Sequence, residues 1–147
     1  MARTVQPSDS LRPPRVTARA VAPALRAAAL VRHFGPRTAD VRTALKMSFT
    51  RLRLPCDLAF STFYELSNGG CYVAVVTADP PVAALTRPGT ADPMSADAGG
   101  IVATLIALNS LTERHEKVWT EHYYWLFEFA HGHPEQAAIG AAFLHYV

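Results

Sequence analysis

Seven side chains in the C-terminal third are of types that could hold a metal or move a proton: Glu113, His115, Glu116, Glu121, His122, His131 and His133. Zinc takes three or four N, S or O ligands converging tetrahedrally, and a helix presents them at i and i+4. His115 and His122 are seven apart, so they share a face only if a helix already starts at His115. His131 and His133 fall at a helix end and in its following loop. No H-E-x-x-H occurs, and neither Cys56 nor Cys71 has a C-x-x-C partner. The cluster reads as surface helix residues, and no metal site is expected.

Nucleophilic chemistry fares no better. Cys71 falls inside a strand on its apolar face, where a thiol has a raised pKa and behaves as a small hydrophobe. Cys56 follows Pro55 with no base in view, and Ser67 lacks a G-x-S-x-G elbow. Ser67-Asn68-Gly69-Gly70 has neither the glycine spacing nor the Lys-Ser/Thr of a phosphate loop. Gly99-Gly100 near a helix N-terminus could meet an anion, but Asp97 beside it repels one. The residues predict no catalytic site, no cofactor and no enzyme.

A chain of 147 residues, half of them apolar, suits one domain with a real core. Two cysteines make no disulfide framework and fit a reducing, cytoplasmic compartment. No apolar run reaches membrane-spanning length. The net charge of +2 hides a division: residues 1–55 carry +9 and residues 56–147 carry −7. Such a split can mark a basic arm that tracks nucleic acid. Here the arginines are dispersed, with no aromatic among them before Phe34.

The elements that must position any site are legible in outline. Residues 1–22 hold Pro7, Pro13 and Pro14 with little periodic apolar content and read as a disordered basic extension. The domain then runs over residues 23–147. A short helix fits 24–32, stopped by Gly35-Pro36. A second fits 38–52, where Val41, Leu45, Phe49 and Leu52 recur at helical spacing. Residues 61–76 read as a hairpin about a two-residue Asn68-Gly69 turn. That register sets Leu66 opposite Cys71, Tyr64 opposite Val73 and Thr62 opposite Val75 on an apolar face, with Glu65 opposite Tyr72 on the other. Val82–Arg87 is a candidate third strand. Ser95 is placed to cap a buried helix through Leu111, whose Gly99-Gly100 predicts close approach of another backbone. Helices at 118–131 and 134–144 complete an α+β fold: a small antiparallel sheet, a hairpin plus a third strand, packed against four to five helices segregated to one face.

Two segments go beyond composition. Phe63 to Tyr72, "FYELSNGGCY", followed by Ser95 to Asn109, "SADAGGIVATLIALN", resembles the paired signature of the KlcA/ArdB antirestriction protein family. Looser likeness appears at His33-Phe34-Gly35, Arg51-Leu52 and residues 123–130. The family's Gly-Gly-x-Trp run before the hairpin is replaced here by Leu58-Ala59-Phe60-Ser61-Thr62. The resemblance implies a plasmid- or mobile-element-borne, non-enzymatic protein that relieves type I restriction–modification of incoming DNA. Its implied partner is the host restriction–modification machinery. Acidic DNA mimicry is not expected, because ten scattered carboxylates in residues 56–147 do not form a phosphate-like array. Glu65, Asn68, Tyr72 and Asp97 are the candidate contact surface. The alternative is a nucleic-acid-binding module using the basic N-terminal segment.

Overall fold

The computed structural model describes residues 15–54, 61–75 and 94–147. A short strand β1 (Ala18–Ala20) leads into a 3-10 turn (Pro23–Leu25) and helix α1 (Arg26–Phe34). A second 3-10 turn (Gly35–Arg37) opens α2 (Thr38–Arg51). The hairpin strands β2 (Ser61–Leu66) and β3 (Cys71–Val75) follow, then α3 (Ala96–Thr112), α4 (Lys117–His131) and α5 (Gln136–Tyr146). The described strands form one antiparallel sheet in the order β1-β2-β3. The fold is therefore α+β.

Four expectations need correction, the last of them the side of the sheet on which the helices pack. Ala18–Ala20, placed by the sequence in a disordered extension, pairs with Leu66, Glu65 and Tyr64 of β2 and is the third strand observed. Its alanines and arginine carry no apolar signal, because backbone hydrogen bonds to an existing edge hold it. Val82–Arg87, Cys56 and residues 1–14 lie outside the described residues. The hairpin register is shifted by one residue. Leu66 N–H donates to Gly70 O at 2.9 Å and Gly69 N–H to Leu66 O at 3.1 Å, so three residues make the loop. Gly69 takes φ +105°, the left-handed position that such loops fill with glycine. Finally, Pro134 precedes α5, which starts at Gln136, instead of opening it.

The shift changes which side chains share a face. Ser61, Phe63 and Glu65 now stand opposite Val75, Val73 and Cys71, while Thr62 and Tyr64 stand opposite Ala74 and Tyr72. The first face meets α1, where Phe63 packs edge-on to His33 and Glu65 reaches Arg32. The second meets α3. Helices thus cover both faces of the sheet, not one.

Helix α3 is the centre of the core, with Ala98 to Leu108 buried throughout. Ser95 caps it, its hydroxyl accepting from Ala98 N–H at 3.1 Å. Val41, Leu45 and Phe49 of α2 are buried, and the Ser48 hydroxyl donates to Ala103 O at 2.8 Å. Thr104 joins helix to sheet: its hydroxyl donates to Gly100 O at 2.8 Å and accepts from Val73 N–H at 3.2 Å. This contact satisfies a backbone donor on the outer side of β3. Thr104→Val keeps the shape but strands that buried N–H, an expected loss of about 1–3 kcal/mol in urea unfolding.

Candidate functional site

The densest group of chemically competent side chains lies where α1, β3 and α4 meet. Burial of Phe34, packed on Trp119 and His122, sets the last turn of α1 against α4 and turns His33 toward the sheet. His33 Nδ1 lies 3.2 Å from His122 Nε2, and His33 Nε2 lies 2.9 Å from Glu65 Oε2. His122 Nδ1 is 2.9 Å from the carbonyl of Val118, one turn earlier in α4. Cys71 Sγ completes the cluster, its sulfur and the two imidazoles offering ligand atoms within 4.8 Å of one another. Cys71 and His122 are buried, while His33 borders a cleft also lined by Arg32, Gly69, Lys117, Glu121 and Trp125.

The electrostatics follow from these contacts. The Arg32 hydrogen bond, supported by His33, holds the Glu65 carboxyl below its usual range and keeps it ionised. Burial lowers the His122 pKa and favours its neutral form. Burial, with the nearby Glu65 charge, pushes the Cys71 thiol up, so unaided it stays protonated. The sequence named these residues separately and had no signal that joined them. His122, expected as a surface helix residue, is buried, His33 entered only through a helix stop and the family likeness, and the expected register put Cys71 on the opposite face.

The four residues expected to form a contact surface are not one patch. Tyr72 is 2% exposed, so it cannot be a surface anchor; it stacks between Tyr64 and Phe129, and its hydroxyl donates to Asp97 Oδ1 at 2.7 Å. Asp97 also meets His133 Nε2 at 2.9 Å. Asn68 Nδ2 donates to Trp125 O, and its Oδ1 accepts from Gly70 N–H. A side chain on Gly70 would come within 2.8 Å of Trp125 Cβ. The Ser67-Asn68-Gly69-Gly70 turn is therefore a seat for α4. Glu65 lies on the other face of the sheet from Tyr72, tied to Arg32 and His33. Of the remaining histidines, His115 precedes α4 and is exposed, as is His131, and neither joins His122.

Several charged side chains of the two halves of the chain pair with each other. Arg19 and Arg32 pair with Glu65, Arg37 with Glu116, and Asp40 with Arg114; Lys117 pairs with Glu121 within α4. Arg15 and Arg26 donate to the carbonyls of Gly132 and Ser61. Exposed pairs of this kind add little stability, roughly 0–1 kcal/mol each. Their consequence is electrostatic: the basic segment is folded onto the acidic body. Among the described residues no helix is long and apolar enough to cross a membrane.

Comparison with known proteins agrees with this architecture. The family model described as antirestriction protein matches residues 58–143. Two Escherichia coli proteins named antirestriction protein KlcA are similar. One is 39% identical over 133 residues, covering 84% of this chain and 92% of the relative. The other is 35% identical over 135 residues, covering 86% and 92%. A solved structure is similar with a TM-score of 0.70 at 36% identity, covering 97% of this chain and 99% of that one. It comes from work on the KlcA and ArdB proteins that describes a novel fold and antirestriction activity against type I DNA restriction systems in vivo but not in vitro.

Proposed function

Since the chain belongs to the antirestriction protein family, we propose that it relieves type I restriction of incoming DNA, without chemistry of its own and without imitating DNA. The observation that carries the second half is the mutual pairing of the charged segments. A DNA mimic must present unneutralised carboxylates at the spacing of phosphates, about one charge per 1.7 Å of duplex axis. Here Asp40, Glu65, Glu116 and Glu121 are each engaged by an arginine or lysine, and Asp97 is hydrogen-bonded by Tyr72 and His133. The relative's activity in vivo but not in vitro supports the same reading. A competitor for the DNA site needs only the purified enzyme to act on. A protein that works through a cellular partner or an indirect route needs the cell. The implied target is the host restriction–modification machinery, reached in the cytoplasm.

Phage plating on a type I restricting host and on an isogenic non-restricting host tests this. Expression is expected to raise plating in the restricting host alone, while purified protein leaves cleavage by purified restriction enzyme unchanged. No relief from soluble protein would overturn the function, and stoichiometric inhibition in the purified reaction would overturn the route. The nucleic-acid-binding alternative is separated by titrating the purified protein with duplex DNA: no salt-dependent binding is expected, whereas a segment that tracks phosphates would bind with an affinity that falls steeply with salt.

A further inference from the structure

We infer that His33, Cys71 and His122 form a binding site for a divalent transition metal of the zinc class, stapling α1, β3 and α4 together. The argument begins with proton placement. Val118 O is a carbonyl and can only accept, so the hydrogen of neutral His122 sits on Nδ1 and its Nε2 presents a lone pair. Glu65 takes a hydrogen bond from Arg32 on Oε1 and faces His33 Nε2 with Oε2 at 2.9 Å, so Nε2 is the donor of that pair. With its one hydrogen on Nε2, the imidazole of His33 presents a lone pair at Nδ1. Two acceptors then face each other at 3.2 Å in a largely buried setting. Such an arrangement needs a positive centre between them, either an extra proton or a metal ion.

Three features favour the metal. A third donor, Cys71 Sγ, lies within 4.8 Å of both imidazole ligand atoms, and a proton shared by two imidazoles has no use for it. Cysteine sulfur with two imidazole nitrogens is a set that zinc accepts. The outer N–H of each histidine is already held, one by a carboxylate and one by a backbone carbonyl, which are the supports that orient metal-bound histidines. The cleft at His33, lined by Trp125 and Glu121, offers entry and leaves room for a fourth ligand from solvent. On binding, the metal displaces the thiol proton to water, and the sulfur lone pair forms the bond.

The test uses tag-free full-length protein, stripped with chelator and titrated with Co(II), then Zn(II). One equivalent of Co(II) is expected to give thiolate-to-cobalt charge-transfer absorption that Zn(II) abolishes. Zinc at a hundredfold excess over Kd is expected to raise Tm by about 5–10 °C. Cys71→Ser should remove the absorption, and Cys56→Ser, changing the only other cysteine, should leave it. Glu65→Gln should weaken affinity roughly 10- to 100-fold while the stoichiometry stays at one. Absence of saturable binding in the wild-type chain would overturn the site and leave the proton-bridged pair. Absorption that survives Cys71→Ser would overturn it as well.

Discussion

Gly100→Ala is expected to destabilise the protein by about 3 kcal/mol, and Gly140→Ala to stabilise it by up to about 1 kcal/mol, although both glycines sit inside helices. Alanine raises helix propensity at either site by the same amount. What differs is the space for its methyl group. At Gly100 that methyl would lie 2.3 Å from Val73 O, 2.6 Å from Ala74 Cα and 2.7 Å from Ala74 Cβ. Two of these are backbone atoms of β3, which cannot rotate away. Relief requires separating α3 from the sheet along the main seam of the core. At Gly140 nothing lies within 4 Å. Urea midpoints of the two variants measure the contrast directly. Equal shifts of the same sign would mean that α3 does not press on β3 as described.

The second large effect is expected at Trp119. The indole is 0% exposed and stacks on Phe34 at 5.9 Å between ring centroids. Truncation to alanine removes those contacts and leaves a cavity, at a cost of about 3–5 kcal/mol. Domains of this size have only about 5–15 kcal/mol in total. Trp119→Ala should therefore yield little soluble protein and no relief of restriction in the plating assay. Trp119→Phe should cost much less, for two reasons. It keeps most of the aromatic packing, and it removes an indole N–H that is buried without an acceptor among the described residues. An unpaired buried donor costs about 1–3 kcal/mol, and the substitution recovers that amount. Thermal unfolding of both variants, alongside wild type, separates packing from polar burial. A Phe variant as damaged as the Ala variant would show that Nε1 has a partner after all.

The helices were readable because each depends on local information. Val41, Leu45 and Phe49 repeat on one face of α2, Ser95 caps α3, and Gly35 and Gly132 close α1 and α4. The hairpin was readable as an element, since a turn signal between two β-prone runs is local too. Its register was not. Asn68-Gly69 suits a two-residue turn in isolation, yet docking of Trp125 over Gly69 and Gly70, with the Asn68 amide bonded to Trp125 O, accompanies a three-residue loop. The strand β1 was missed because its three side chains are exposed and it is held mainly by backbone hydrogen bonds to β2, with Arg19 reaching Glu65.

The sequence by itself determined the family, the α+β class and the buried central helix, because signature residues, periodicity and caps are carried within short segments. It also showed that acidic residues are neither numerous nor consecutive in residues 56–147. Tertiary structure decided everything that depends on who meets whom. The one-residue shift in the hairpin moved Cys71 from beside Leu66 to the face of Glu65, and packing of α1 against α4 brought His33 to His122. The same packing paired Arg19 and Arg32 with Glu65, and Arg37 with Glu116, across a charge division that looked like an arm. Such pairings join residues up to 117 positions apart. No local propensity encodes them; they follow from burying both faces of a small sheet at once.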